Sequence, residues 1–198
     1  GDPTHHYYPY TVGGRVVAYK QREVATKAFL AIGKLKEAEL FGQSQAGNGG
    51  QLIIITEGEC DAMAATQMLR NEGKKYRVVS LVTGGNTSSI KNNLEWLEGF
   101  KTIILAFDQD KVGEANAEAV SALLTPGKVK IMHLPDKDPN EMLKHGKSKE
   151  FYQAILGAKM HRPDGIVSGK DTWERLKNRP VVKSVPFPAG WDIMNQKA

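Results

Sequence analysis

From residue 52 onward, short unbroken apolar runs alternate with longer segments of mixed polarity. An unbroken apolar run such as Leu52–Ile55 is typical of a strand that is buried on both faces of a parallel sheet. Alternation of such strands with helices of ten residues or so indicates βαβ units. The pattern predicts strands near 52–56, 77–82, 102–107 and 128–134, and helices near 59–71, 88–97, 113–124 and 147–157. We therefore predict an α/β fold in which a parallel sheet is flanked by helices.

The two ends of the chain have other patterns. Thr11–Glu23 has a Gly-Gly turn and then alternating apolar and polar positions, and residues 15–36 are rich in lysine and arginine. After residue 158, a linker-like stretch precedes a short helix predicted from Ser168 to Asn178, and three prolines interrupt the remaining residues. We predict three parts: a small basic N-terminal α+β subdomain (1–50), a central sheet subdomain (51–158) and a C-terminal helical linker (159–198).

Composition narrows the classes of protein that the chain resembles. Its 198 residues are 40% hydrophobic and 25% charged, which is ordinary for a soluble globular protein, and no stretch is long and apolar enough to cross a membrane. The single cysteine, Cys60, excludes an intramolecular disulfide and a cysteine-rich zinc site, so we expect a reducing compartment such as the cytoplasm. The formal net charge of +5 favours a polyanionic partner.

Acidic residues follow three of the predicted strands. Glu57 follows the first strand, Asp108 and Asp110 follow the third, and Asp138 follows the fourth. Side chains two apart in extended backbone point to the same face, so we expect Asp108 and Asp110 to converge. Converging carboxylates repel each other unless a cation lies between them, and Mg²⁺ prefers oxygen ligands. The carboxyl ends of strands are where open α/β sheets place their sites, so the sequence predicts a Mg²⁺ site there.

Other polar residues at strand ends allow two interpretations each. Glu59 and Asp61 either cap the helix that begins beside them or join the acidic site. The glycine-rich turn after the second strand either points N–H groups at a phosphate or simply connects two elements. Three acidic strand ends in a basic protein indicate metal-assisted phosphoryl chemistry, with lysines and arginines holding the phosphates. These residues alone do not distinguish synthesis of a phosphodiester from its cleavage.

Three motifs, Thr56–Glu59, Phe107–Asp110 and Lys137–Glu141, occur in this order along the chain. Together they resemble the TOPRIM motif set of DnaG-type primases, topoisomerases and some nucleases. The order and context are most similar to the bifunctional primase–helicases of T-seven-type phages, which are related to the mitochondrial Twinkle helicase. The flanking segments that support this likeness are Tyr19–Arg22, Leu40–Gln43 and Pro163–Ser168.

The resemblance implies a DNA primase that makes short RNA primers from ribonucleoside triphosphates on a single-stranded DNA template. Residues 51–158 would be its TOPRIM catalytic subdomain, with Mg²⁺ as the cofactor and Mn²⁺ as a substitute. The resemblance assigns Glu57 to metal binding or acid–base catalysis, and it assigns Asp108, Asp110 and Asp138 to metal binding. It implies that Lys20 and Lys27 are catalytic. The residues that it places at nucleotide or nucleic acid are Lys20, Arg22, Lys27, Gly84, Gly85 and Asn86.

Family members also carry a zinc-binding module and a helicase domain, and they assemble into hexameric or heptameric rings. One cysteine cannot build the zinc module, and the chain contains no phosphate-binding Walker loop. The chain therefore resembles the polymerase domain of a larger protein. We expect that protein to work in the cytoplasm of a phage-infected cell, or in an organelle if it is closer to Twinkle.

Three other functions use similar residues. A TOPRIM nuclease would use the same carboxylates with water as the nucleophile. A topoisomerase would need a catalytic tyrosine in an additional domain, for which the chain lacks room. A non-catalytic DNA-binding or ring-assembly module would be expected to lack the acids, and all of them are present here.

Overall fold

A computed structural model of the protein describes residues 3–83, 87–162 and 169–178. The chain divides into two compact units, Gly1–Pro163 and Asp164–Ala198. The predicted parts 1–50 and 51–158 both fall within the first unit, and the three-part division stays a prediction. Among the described residues, no helix has the length and apolar character needed to span a membrane.

A three-stranded antiparallel sheet forms the N-terminal part of the first unit. Its strands are β1 (His5–Val12), β2 (Arg15–Glu23) and β3 (Phe29–Gly33). Gly13 and Gly14 form the turn between β1 and β2 with positive φ angles, as the Gly-Gly pattern predicts. Tyr8 and Tyr10 are buried on the face that packs against the rest of the unit. A 3-10 turn (Leu35–Glu37) and a short helix, α1 (Gln43–Ala46), then lead to the central sheet.

The central sheet has five strands in the order β5-β4-β6-β7-β8. They are β4 (Gly50–Thr56), β5 (Arg77–Ser80), β6 (Phe100–Ala106), β7 (Val129–Ile131) and β8 (Lys159–Met160). The first four in this order pair in parallel, and β8 pairs antiparallel at one edge. Because β4, β6 and β7 are neighbours and parallel, the loops that follow them emerge at the same edge of the sheet.

Among the described residues, six helices accompany this sheet, and a further helix lies in the second unit. The six are α2 (Glu59–Asn71), α3 (Ser88–Asn92), α4 (Leu94–Glu98), α5 (Lys111–Ser121), α6 (Pro139–Lys144) and α7 (Ser148–Leu156). The second unit contains α8 (Gly169–Lys177), which corresponds to the helix predicted from Ser168 to Asn178. Ser168 itself lies outside the described residues.

Two hydrophobic cores explain why the central strands are continuously apolar. Ile53 and Ile55 face one core, whereas Ile54 faces the other, and none of the three side chains is exposed. The first core includes residues of α3, α4 and α5, and the second includes residues of α2, α6 and α7. Each fully buried isoleucine contributes about 1.5–3 kcal/mol relative to an exposed one. Burial on both faces therefore fixes the position of the loop that begins at Glu57.

The predicted α/β fold, a parallel sheet flanked by helices, is confirmed. The helix predicted near 88–97 is instead two short helices, because the backbone leaves the helical conformation at Asn93. Several elements were not predicted from the sequence. They are strand β3 in the basic segment, helix α6 directly after Asp138, and the elements β1, α1 and β8.

Candidate metal centre at the carboxyl edge of the sheet

Three loops bring the predicted acids to one edge of the sheet. Glu57 follows β4, Asp108 and Asp110 follow β6, and Asp138 follows β7. The loops contact one another through their backbones, since the amide of Asp108 donates to Glu57 Oε1 at 3.2 Å and the amide of Gln109 donates to the Lys137 carbonyl at 2.8 Å. The structure therefore places these four carboxylates in one neighbourhood.

Glu57 is half-buried and is held from two sides. Its Oε1 accepts the Asp108 amide, and its Oε2 accepts Nδ2 of Asn116 on α5 at 3.2 Å. Burial, and next the negative charge of Asp108, raise the pKa of Glu57, while the two hydrogen bonds oppose the rise. A Cβ atom at Gly113 would lie 2.1 Å from the Asp108 carbonyl oxygen and 3.0 Å from Glu57 Oε1. Only glycine lets α5 approach this closely.

The predicted convergence of Asp108 and Asp110 assumed that the strand continues through the FDQD motif, and the strand does not continue that far. Strand β6 ends at Ala106 and the chain bends at Gln109, which removes the strand alternation that the prediction assumed. Asp110 instead caps α5, where its Oδ1 accepts the amides of Val112 and Gly113, each at 3.0 Å.

Asp108 and Asp138 interact more closely than Asp108 and Asp110. Burial raises the pKa of Asp108, and the charge of Asp138 raises it further, while Lys137 opposes the shift. The Lys137 ammonium lies 3.9 Å from Asp108 Oδ2 and is well exposed. Asp138 also caps a helix, because its Oδ1 accepts the amide of Glu141 at 2.8 Å at the start of α6.

Asp61 is an additional acid at this edge. Its Oδ1 accepts the amide of Asn140 at 3.4 Å, which ties α2 to α6. Burial raises the pKa of Asp61 to about 7, with further contributions from the charges of Asp138 and Asp108. From the sequence, Asp61 could either cap helix α2 or belong to the acidic site. The structure places it with the site.

The carboxylates at this edge supply the oxygen ligands and the negative charge that a divalent cation requires. Five carboxylates lie along this edge, and like-charge repulsion contributes to the raised pKa values of Glu57, Asp61 and Asp108. A cation would relieve this repulsion. Within residues 3–83, 87–162 and 169–178, no three Asp, Glu, His or Cys side chains surround a single point closely enough to hold a metal ion. Two of the acids, Asp110 and Asp138, use oxygens to cap helices.

The basic residues predicted for the site lie in different surroundings. Lys20 is buried, and its Nζ lies 2.9 Å from Glu59 Oε1 and 3.3 Å from the Val82 carbonyl. Tyr10 donates to the same Glu59 oxygen at 2.5 Å. Glu59 is therefore the partner of an internal ion pair and does not belong to the acidic site.

Arg22 and Lys27 are more accessible than Lys20. Arg22 is half-buried beside Cys60, with Nη1 3.6 Å from Sγ. Its positive charge partly opposes the rise in the pKa of Asp61. Lys27 is exposed in the turn between β2 and β3, where it adopts a positive φ of 62°. Gly84, Gly85 and Asn86 lie outside the described residues.

Comparison with known proteins identifies relatives. Residues 54–143 match the Toprim-like family. The DNA helicase/primase of Enterobacteria phage T3 is 34% identical to this chain over 166 residues, which are 83% of the chain and 28% of the phage protein. The chain thus spans little more than a quarter of that relative.

Two solved structures share the fold. The crystal structure of the primase fragment of the bacteriophage T7 primase-helicase protein aligns with a TM-score of 0.69 and 33% identity, covering 76% of this chain and 62% of the fragment. The second structure contains bacteriophage T7 lagging-strand DNA polymerase interacting with primase domains of two gp4 subunits bound to an RNA/DNA hybrid and dTTP. Its TM-score is 0.71 at 32% identity, covering 79% of each chain.

Proposed function

The chain belongs to the TOPRIM-fold primase domains of T-seven-type phage primase–helicases, and from this membership we propose that it is the RNA polymerase domain of a DNA primase. It would join ribonucleoside triphosphates into short RNA primers on a single-stranded DNA template. The observation that carries the proposal is the meeting of Glu57, Asp61, Asp108 and Asp138 at the carboxyl edge of β4, β6 and β7.

TOPRIM primase domains depend on a metal, and we propose Mg²⁺, with Mn²⁺ as a substitute, since every donor is a carboxylate. Glu57, Asp108, Asp110 and Asp138 would hold it, together with Asp61. The bound cation would neutralise charge on the triphosphate of the incoming nucleotide. Within the chain, Asn116 and the Asp108 amide orient Glu57, and Gly113 leaves the room that α5 needs to stay close. The primer 3′-hydroxyl would attack the α-phosphate and pyrophosphate would leave.

The basic residues would bind the negatively charged phosphates, which the acidic side chains themselves would repel. Lys27 and Arg22 are proposed to contact nucleotide and template, since Lys27 is exposed and Arg22 lies near Asp61. Lys20 is proposed for the same role, but its ammonium first has to leave the pair with Glu59. A role for Gly84, Gly85 and Asn86 in nucleotide binding also belongs to this proposal.

The proposal extends to the protein in which the domain works. Zinc-binding and helicase domains would be carried by the same parent polypeptide, which would form a hexameric or heptameric ring. It would act in the cytoplasm of the infected cell, or in an organelle if closer to Twinkle. Template DNA and ribonucleotides would be its partners.

Primer synthesis tests the proposed function directly. The protein is incubated with single-stranded DNA, Mg²⁺ and labelled ribonucleotides, and the products are separated by length. We expect diribonucleotides and longer RNA from the unchanged protein. Asp108→Ala should abolish them while circular dichroism shows an intact fold. Glu98→Gln is the control, since Glu98 pairs with Lys128 at 2.7 Å, away from the acidic edge.

The same reaction decides between the alternatives. Degradation of the template without RNA products would overturn the primase proposal in favour of a nuclease. Full primer synthesis by folded Asp108→Ala would remove that residue from the site. DNA binding without either reaction would favour a non-catalytic module.

A further inference from the structure

The acids of the candidate site lie on loops that lack regular structure of their own. Asp108 follows the end of β6, and Asp138 follows residues 132–137, which form neither helix nor strand. Strand β7 pairs with β6 only through Val129–Ile131, so pairing of the strands ends well before Asp138. Other contacts must set the distance between the two loops.

Gln109, the residue between the two aspartates of the FDQD motif, makes those contacts. Its side-chain Nε2 donates to the Phe107 carbonyl at 2.8 Å, and its Oε1 accepts the amide of Leu134 at 3.1 Å. Its own backbone amide donates to the Lys137 carbonyl at 2.8 Å. The half-buried side chain therefore joins the loop after β6 to the loop after β7.

We propose that Gln109 is a positioning residue, which holds the Asp138 loop in register with Asp108 so that the acidic edge binds a divalent cation. Its part in primer synthesis rests on the proposed function, whereas its part in metal binding is measured independently of that activity. Residues that orient metal ligands through hydrogen bonds typically change metal affinity when they are replaced.

The chemistry of the amide explains why glutamine suits this position. One end must donate to a carbonyl and the other must accept from an amide, and a primary amide supplies both. Glutamate would bring an oxygen against the Phe107 carbonyl and add a negative charge beside Asp108. Methionine has a similar length but makes neither bond. The backbone bond to Lys137 does not depend on the side chain, so these variants should keep the fold.

Metal binding by Gln109→Met is the first test. Free Mn²⁺ is measured by electron paramagnetic resonance while the metal is titrated into the protein. We expect about 10- to 100-fold weaker Mn²⁺ binding than in the unchanged protein. The matched control is Gln153→Met, because Gln153 is exposed on α7, and it should bind Mn²⁺ normally. Unchanged Mn²⁺ affinity in folded Gln109→Met would overturn the proposal.

Amide hydrogen exchange separates positioning from general loosening. The Leu134 amide loses its acceptor in Gln109→Met, so it should exchange faster. The Met132 amide donates to the Leu105 carbonyl at 3.0 Å and should keep its rate. If both amides accelerate equally and the thermal unfolding midpoint falls, the weaker metal binding comes from a destabilised fold and the proposal is wrong.

Primer synthesis then separates this proposal from the proposed function. If the unchanged protein makes primers, raising Mg²⁺ should restore most of the activity of Gln109→Met, as expected for a loss of metal affinity. Activity that stays low at every Mg²⁺ concentration contradicts a positioning role. If the unchanged protein makes none, the proposed function fails. Weaker Mn²⁺ binding by Gln109→Met would still support the positioning of the two loops.

Discussion

Glu57, Glu59 and Asp61 are spaced two residues apart at the start of α2, yet their surroundings differ sharply. Glu59 is 2% exposed and shares an oxygen between the Lys20 ammonium and the Tyr10 hydroxyl. Glu57 and Asp61 accept backbone or amide hydrogen bonds but form no ion pair with any described residue. Lys20 thus neutralises the acid that faces the N-terminal sheet, whereas Glu57 and Asp61 have no ion-pair partner among the described residues, and Asp108 has only the exposed Lys137 at 3.9 Å.

This difference distinguishes a structural acid from a binding acid. Burial, and next the charge of Glu59, raise the pKa of Tyr10 above its ordinary value, so Tyr10 keeps its proton and donates to Glu59. At Glu57 and Asp61, burial and neighbouring carboxylates raise the pKa, and neither acid forms an ion pair with a described residue. The charge of Arg22 only partly opposes the rise at Asp61. Stability should therefore depend on the pair at Glu59, whereas metal binding should depend on Glu57 and Asp61.

The largest effect is expected from breaking the internal pair. Lys20→Met leaves the Glu59 carboxylate buried without a cation, and this should lower the free energy of unfolding by about 3 kcal/mol. Urea unfolding at pH 7 measures it. A loss below about 1 kcal/mol would show that the pair behaves like an exposed one and would erase the contrast with Glu57.

Asp61→Asn should change stability in the opposite direction and raise the free energy of unfolding. The folded-state pKa of Asp61, about 7, exceeds its ordinary value of 3.8, so the folded protein binds a proton more tightly than the unfolded chain. The stabilisation that this bound proton provides is complete below about pH 4. It is lost as the pH rises to about 7. In the presence of EDTA, Asp61→Asn should therefore be more stable than the unchanged protein at about pH 8. We expect a difference of about 2 kcal/mol, roughly half of what about 1.4 kcal/mol per pKa unit would give, because Asp61 is only partly buried and water screens its charge.

Urea unfolding at pH 4, 6 and 8 checks the prediction for Asp61. The two proteins should be similar at the lowest pH and diverge as the pH rises. Parallel stability curves over the whole range would contradict the assignment of Asp61 to an unneutralised acidic edge.

A smaller effect is expected at Asn116, which holds Glu57 from α5. Asn116→Ala removes the donor to Glu57 Oε2 and should cost about 1 kcal/mol of stability at pH 8. The pKa of Glu57 should rise further, because the lost bond favours the charged carboxylate. Carbon-detected NMR of Glu57 measures the pKa. An unchanged pKa would mean that Asn116 does not orient this carboxylate.

The smallest effect is expected at Lys34, which provides the matched control for Lys20. Lys34 pairs with Glu37 at 3.4 Å, but both side chains are well exposed. Lys34→Met should change the free energy of unfolding by less than about 0.5 kcal/mol, because water screens the pair. A loss similar to that of Lys20→Met would show that methionine itself, and not burial of the partner, causes the destabilisation.

Sequence patterns predicted the central strands well because these strands are buried on both faces. The run Leu52–Ile55 leaves no polar residue to suggest another element, and helix α2 has the bounds predicted for it. The position of Glu57 at a strand end followed from the same run. The N-terminal strands were predicted less fully, since β3 is exposed along its whole length and lacks a polar alternation.

The details of the site depended on contacts that no local pattern contains. The spacing of Asp108 and Asp110 implied a shared face only if the strand continued, and it ends at Ala106. Glu59 and Asp61 have similar local sequence, but Lys20 lies near only one of them. Gln109 joins residues that are 25 positions apart. The contacts of Gln109 depend on the packing of β6 beside β7, and the pair of Lys20 with Glu59 depends on the packing of β2 against α2.

The most direct test of the central claim is the number of Mn²⁺ ions that the protein binds at pH 8, measured by electron paramagnetic resonance. We expect binding by the unchanged protein and by Glu98→Gln, whose carboxylate is paired with Lys128. Asp108→Asn should lose this binding, because Asp108 contacts Glu57 in the loop after β4 and its carboxylate interacts with the charge of Asp138 in the loop after β7. Equal Mn²⁺ binding by folded Asp108→Asn and the unchanged protein would contradict a metal centre at this edge.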